Sequence, residues 1–365
     1  MAKYHKSHLY YEPQWDRGDG VPVTFATSFG VRFGLMICYD LMWPEPQTSL
    51  HAMGVRNFAF SAWWVNNEPT ITGTTSQQAW SRLYQSNLIA SSVGVNFYNS
   101  GSGVYSSGTA LQACYNPGLA ARLCMAIGDL PLTPEPYLAN DVRPGGVSGQ
   151  SDQLHLTAPI SLPELPPLPP LANIVTAIDP NYPGRVQEFA TRTNYSLTTT
   201  DASSLKPGTT GVLQAAQGVV HCFAEFEVSP DSPEVDPTET YVLAALDGLY
   251  NELFNARICA FTRCASSGCL DWTTEASVIF DRAVVRMRVD PTTAPLPLQM
   301  LAMGDSSGAV LLPASRTAFS TSEIVAGAQH SAALHLGEAQ SSAQSLNDTL
   351  LNLSLFGVVW NELAL

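Results

Sequence analysis

The chain has 365 residues, of which 13% are charged and 45% hydrophobic, with a net charge of −14 and a pI near 4.8. That length allows two domains of ordinary size, and the composition excludes a disordered chain and a coiled coil. The acidic balance makes nucleic acid and anionic membrane surfaces poor partners, and no apolar run reaches the roughly 18 residues of a bilayer-spanning helix.

The first ten residues carry Lys3 and Lys6 and no apolar core, so they do not read as a signal peptide. Strands are predicted over 21–27 and 31–38, around a Ser28-Phe29-Gly30 turn. The second strand ends abruptly at Cys38-Tyr39-Asp40, and Pro44-Glu45-Pro46 then opens a helix over 47–53 that Gly54 stops. A cysteine at a strand-to-helix turn has its sulfur lifted clear of the sheet and close to backbone N–H groups, which lowers a thiol pKa and makes a nucleophile. Asp40 reads as a cap for the turn that follows it. A strand over 57–61, a helix over 77–86 with Trp80, Leu83 and Tyr84 on one stripe, and a strand over 87–93 complete a strand–helix alternation. Such alternation implies a layered α/β domain over residues 1–130. Trp63 and Trp64 follow the strand at the end where a parallel sheet holds its site.

Residues 131–172 read as a Pro-rich linker, with Leu165-Pro166-Pro167-Leu168-Pro169-Pro170 favouring an extended polyproline II course. Residues 173–365 are mostly β, with alternating strands over 219–228, 241–245, 278–288 and 351–360. Seven cysteines are an odd count. Cys222, Cys259, Cys264 and Cys269 form an even set suited to disulfides in an oxidising compartment, with three pairings open. Asn194, Asn347 and Asn352 stand in glycosylation sequons. The histidines show no pair at metal-ligand spacing, and Gly101-Ser102-Gly103 lacks the setting of a phosphate loop.

Lys6 within Tyr4-His5-Lys6-Ser7-His8-Leu9, together with Cys38 within Gly34-Leu35-Met36-Ile37-Cys38-Tyr39-Asp40, resembles the nitrilase superfamily of carbon–nitrogen hydrolases. The stretches Phe60-Ser61-Ala62-Trp63, Ala79-Trp80, Asn87-Leu88-Ile89-Ala90-Ser91 and Gly101-Ser102-Gly103-Val104-Tyr105 narrow the resemblance to its vanin (pantetheinase) and biotinidase branch. In the second half, Val242 to Tyr250, the Cys259/Cys264/Cys269 pattern and Leu355-Phe356-Gly357 resemble the β-rich base domain of that branch, although Gly218 and Val220 stand where the family has further cysteines near Cys222.

The resemblance implies an αββα sandwich of which residues 1–130 are the second half, followed by a β-rich base domain. It implies that Cys38 attacks an amide carbon and forms a thioester, with Lys6 and the Tyr39 backbone N–H holding the oxyanion. Glu12 matches the family's supporting carboxylate, and Trp63 and Trp64 line the pocket. No metal or cofactor is implied, and the substrate is a small linear amide of pantetheine or biotin. The family's general base is a glutamate well upstream of the lysine. Only five residues precede Lys6, so that glutamate is expected in a missing N-terminal segment or a partner. A half sandwich would leave apolar faces uncovered. Secretion follows from the family and the cysteines. The alternative is a non-catalytic binding or interaction protein of the same fold.

Overall fold

The computed structural model describes residues 2–10, 12–66, 70–93, 101–115, 125–134, 194–201, 203–234, 239–250, 254–264, 276–290, 298–307, 312–313, 317–324, 327–335 and 349–359. Most of the Pro-rich stretch, Cys124, Cys269 and Asn347 lie outside them.

A six-stranded sheet follows chain order: β1 (Thr24–Ala26), β2 (Arg32–Ile37), β3 (Asn57–Ala62), β4 (Asn87–Ser92), β5 (Ser102–Ser106) and β6 (Thr109–Cys114). Strands β2, β3 and β4 are parallel, and the outer pairings are antiparallel. Parallel neighbours need a crossover. A 3-10 turn at Cys38–Met42 and helix α1 (Gln47–Ala52) join β2 to β3, and helix α2 (Gly73–Leu83) joins β3 to β4. Gly54, at φ +79°, ends α1 with its N–H on the His51 carbonyl (2.9 Å), as the sequence predicts.

Helix α2 begins four residues earlier than expected. Its first turn is the poor helix former Gly73-Thr74-Thr75-Ser76. Thr72 precedes it in extended conformation, its hydroxyl 2.6 Å from that of Thr75. Every residue from Gly73 to Arg82 is buried. Tertiary packing, rather than propensity, supports this helix. Its buried polar groups find partners on the sheet: Gln77 Nε2 donates to the Gly101 carbonyl (2.8 Å), Tyr105 Oη donates to Gln77 Oε1 (3.0 Å), and Gln78 Nε2 donates to the Gly108 carbonyl (2.9 Å).

Eleven further strands form two antiparallel sheets. They are β7 (Ser196–Thr199), β8 (Thr210–Gln217), β9 (Val220–Val228), β10 (Thr240–Tyr250), β11 (Phe254–Cys264), β12 (Phe280–Val289), β13 (Leu298–Ser307), β14 (Leu312–Pro313), β15 (Thr317–Ile324), β16 (Gly327–His335) and β17 (Thr349–Val359). One sheet runs β14-β13-β17-β11-β10-β7, the other β15-β16-β12-β9-β8.

The period-2 pattern of β9 is resolved as expected. Val220, Cys222, Ala224, Phe226 and Val228 point inward, against Tyr241, Leu243 and Phe261 of the facing sheet. Strands β10, β11 and β17 are buried on both sides instead. Their second face, with Leu246, Ile258 and Phe356, shares a core with Leu50 of α1, Trp80 of α2 and Phe58 and Phe60 of β3. The layer order is therefore sheet, helices, sheet, sheet.

Only one face of the first sheet carries helices among the described residues, so the αββα sandwich of the sequence reading is not seen here. The expectation of uncovered apolar faces is met in part. The helix-bearing face is covered by α1 and α2, and these by the sheet containing β10, β11 and β17. The opposite face presents the register row Leu35, Ala59, Ile89, of which Ile89 is 41% exposed. Residues 125–134 cross one end of it, where Asn57 and Asn87 side chains donate to the Leu132 (3.4 Å) and Pro131 (2.6 Å) carbonyls.

Cys222 and Cys259 form a disulfide between β9 and β11, tying the two C-terminal sheets. Cys264 is also disulfide-bonded, as is Cys114, which the sequence left isolated. The bond between Cys222 and Cys259 spans 37 residues. Replacing both with alanine is expected to cost about 3–4 kcal/mol, by the loop-closure entropy that the bond removes from the unfolded chain. A urea midpoint unchanged by the double substitution would contradict this.

Asn194 is exposed. Asn352 is a correction to the sequence reading. It is fully buried within β17, its Nδ2 donating to Ser354 Oγ at 3.2 Å, and a glycan at that nitrogen is incompatible with this packing.

Candidate active site

Cys38 sits at the carboxyl end of β2, at φ +49°. A non-glycine residue in this left-handed region is uncommon, and such strain concentrates at functional turns. The chain is bent there from the strand into the 3-10 turn, which lifts the sulfur off the sheet. Cys38 is half-buried and is the free cysteine of the described residues. Its thiol donates a hydrogen bond to the Trp63 carbonyl at 3.5 Å, and the Tyr39 backbone N–H favours the charged sulfur.

Lys6 is not a solvated surface lysine. Its side chain is only 12% exposed and forms an ion pair with Glu12, which also accepts the Tyr10 backbone N–H at 3.1 Å. The Lys6 ammonium acts on Cys38 as the strongest influence favouring the thiolate, and Glu12 opposes it. Three residues chosen from sequence thus stand in one electrostatic group.

One expectation is overturned. The turn setting predicts a lowered thiol pKa, but burial outweighs Lys6 and the backbone bonds of Trp63 and Tyr39, and pushes the Cys38 thiol up. In this state the resting group is a thiol. Attack on a carbonyl then needs a base to take its proton.

A cleft opens beside Cys38. Trp63, Trp64, Tyr39 and Met42 form one side. Trp64 is also a core residue, 5% exposed and edge-on to Phe60. Tyr250 and Phe254, from the ends of β10 and β11, form the other side. Sequence reasoning missed both, because nothing in a chain read linearly brings residue 254 to residue 38. Their stacking on each other (5.7 Å) and the approach of Phe254 to Tyr39 (6.1 Å) fix this wall.

Asp40 does more than the capping role read from sequence. Its Oδ2 accepts the Ile37 backbone N–H at 3.1 Å, which is the expected local contact. The same carboxylate, with no exposed surface, also accepts bonds from the segment that carries Lys6.

Comparison with known proteins matches residues 1–99 to the carbon-nitrogen hydrolase family and residues 189–363 to the vanin C-terminal domain. The chain is 26% identical over 271 residues to a biotinidase of Takifugu rubripes, covering 73% of this chain and 49% of that one. It is 36% identical over 108 residues to the human pantetheine hydrolase VNN2, covering 29% of this chain and 21% of that protein. A solved amidase of the nitrilase superfamily from Nesterenkonia AN1 is 20% identical, covering 33% of this chain and 47% of that one, with a TM-score of 0.28. The chain thus spans about half or less of the length of the curated relatives it matches. With the first matched segment holding Lys6 and Cys38 and the second holding the cleft wall of Tyr250 and Phe254, the chain belongs to the vanin/biotinidase branch of the nitrilase superfamily.

Proposed function

We propose that the chain carries the nucleophilic part of an amidohydrolase that cleaves small linear amides of the pantetheine or biotin kind. The observation that carries this reading is the grouping of Lys6, Glu12 and the Tyr39 N–H around a strained, free Cys38 at the mouth of an aromatic cleft. Cys38 Sγ attacks the amide carbon, and the carbonyl oxygen becomes an oxyanion held between the Lys6 ammonium and the Tyr39 N–H. Collapse expels the amine, which must take up a proton, and leaves a thioester for water to cleave. Glu12 keeps Lys6 oriented.

The proton shuttle is the role no described carboxylate fills. Glu12 is engaged with Lys6 and Tyr10, and Asp40 with its own donors. We assign it to a carboxylate outside the described residues. The 365-residue chain is expected to acylate Cys38 from an activated ester of pantothenate or biotin at alkaline pH, where hydroxide takes the thiol proton and the leaving group needs none. Intact-mass measurement tests this, and absence of a Cys38 adduct would sink the reading. The disulfides fit an oxidising, extracellular compartment.

A binding role for the same cleft is favoured by one observation, the raised Cys38 thiol. Under that reading, ligand binding survives Cys38→Ala and no adduct forms.

The cleft side formed by Tyr250 and Phe254 is expected to set affinity rather than chemistry. Phe254→Ala should raise KM for acylation about tenfold with a smaller change in the maximal rate, since burying part of an aromatic contact is worth about 1–2 kcal/mol. A fall in the maximal rate with KM unchanged would place Phe254 in the transition state instead.

A further inference from the structure

We propose that Asp40 is a positioning residue, whose buried carboxylate clamps the Lys6-bearing segment onto the Cys38 turn. The inference rests on the reading of Cys38 and Lys6 as site groups. Residues 2–10 form no helix or strand, so no ladder of backbone bonds fixes Lys6 in space. Beside the Gly18 N–H on the Lys6 carbonyl (2.6 Å) and the Lys6–Glu12 pair, most bonds of the segment converge on one acceptor, Asp40. Asp40 Oδ1 accepts the Ser7 N–H (3.1 Å), the His8 N–H (2.9 Å) and lies 3.0 Å from His8 Nδ1. Oδ2 accepts the Tyr4 hydroxyl (2.8 Å) and the Ile37 N–H (3.1 Å). The donors therefore come from both sides of Lys6 and from the strand that ends in Cys38.

Asp40 does not touch Lys6. It stands two residues after Cys38 on the same 3-10 turn, so the clamp and the thiol move together. His8 adds a second contact, its ring stacked on Trp43 at 4.5 Å and 8°. A carboxylate with no exposed surface is costly to bury, and it persists because charged-acceptor bonds offset that cost. An amide at position 40 would turn one acceptor atom into a donor facing donors, which opens the clamp while keeping size.

The geometry makes a prediction of sign. If Asp40 acts through Lys6, its loss removes a cation from the thiol and slows thiolate chemistry. If Asp40 acted on Cys38 directly as a charge, its loss would speed it. The other groups facing the thiol are Lys6, Glu12 and the phenols of Tyr10, Tyr39 and Tyr250.

The test is the pH profile of Cys38 alkylation by iodoacetamide in the 365-residue chain, read by mass at the Cys38 peptide. Lys6→Met should slow alkylation at pH 7 about tenfold and move the profile to higher pH. Asp40→Asn should reproduce most of that loss. The double variant should be no slower than Lys6→Met alone, because both substitutions remove one interaction. An unchanged or faster Asp40→Asn, or losses that multiply in the double variant, overturns the proposal. If Lys6→Met leaves the profile unmoved, the reading of the site itself fails and the proposal falls with it. Should Asp40→Asn not fold by near-ultraviolet circular dichroism, Tyr4→Phe deletes one donor alone. It should slow alkylation two- to threefold in the wild-type background and not at all with Lys6→Met, and equal slowing in both backgrounds overturns the proposal.

Discussion

Cys38→Ala is expected to abolish covalent acylation of the chain and, in a form of the protein that turns over amide, to lower the rate by at least about 10⁴-fold. Removing the nucleophile of a nucleophile-and-base machine costs about as much as removing the whole machine, since the remaining groups have nothing to assist. The oxyanion donors and the cleft survive the substitution, so substrate affinity should change little. The alanine also relieves no packing. The thiol fills a half-buried site beside the Trp63 carbonyl, and one sulfur atom at the mouth of a cleft is worth little to stability. An acyl adduct of undiminished yield in Cys38→Ala would show that another group reacts. A large fall in thermal midpoint would show that the thiol is structural.

Lys6→Met should slow acylation of Cys38 about 10²- to 10³-fold, the usual loss for one oxyanion donor in a dry site. Two effects act together. The methionine cannot hold the developing oxyanion, and it no longer opposes the burial that raises the Cys38 thiol. The sign on pH follows. Thiolate chemistry in the wild-type chain climbs with pH up to a thiol pKa already above its ordinary value, and without Lys6 that climb continues to higher pH still. Glu12, left without its cation, becomes a nearby uncompensated charge and pushes the same way. Raising the pH should therefore recover part of the lost rate, through ionisation alone and not through oxyanion binding. Full recovery at high pH would assign Lys6 to thiol ionisation only. No recovery would assign it to the oxyanion only.

The strand–turn core around Cys38 was legible because it depends on local chemistry. An apolar run of strand length ends at a thiol and an acid, Pro44 and Pro46 open a helix, and Gly54 closes it. Helix α2 was legible only in its second half, because Thr74, Thr75 and Ser76 have poor helix propensity and are held by a buried environment that no window of sequence contains. Strands β10 and β17 read as β, but not as buried on both faces, since that depends on where the other layers settle, and β11 was not marked as a strand.

In the site, Lys6, Glu12 and Cys38 were legible as a family pattern and are brought into one electrostatic group. The state of the thiol was not, because a turn lowers a thiol pKa and burial raises it, and only the fold shows which is larger. Asp40 was read as a cap. Its remaining donors lie more than thirty residues away in the chain, where no local rule reaches.

Phe356 of β17 lies edge-on to Tyr250 at 5.6 Å and to Phe254 at 6.0 Å, and those two rings face Cys38 across the cleft. The last described strand of the chain is thus one ring removed from its reactive sulfur. A nonsense codon just before residue 349 would leave Lys6, Glu12 and Cys38 encoded. It would still strip the support from behind the cleft and open the central sheet to water, so that such an allele should behave as a null rather than as a shortened enzyme.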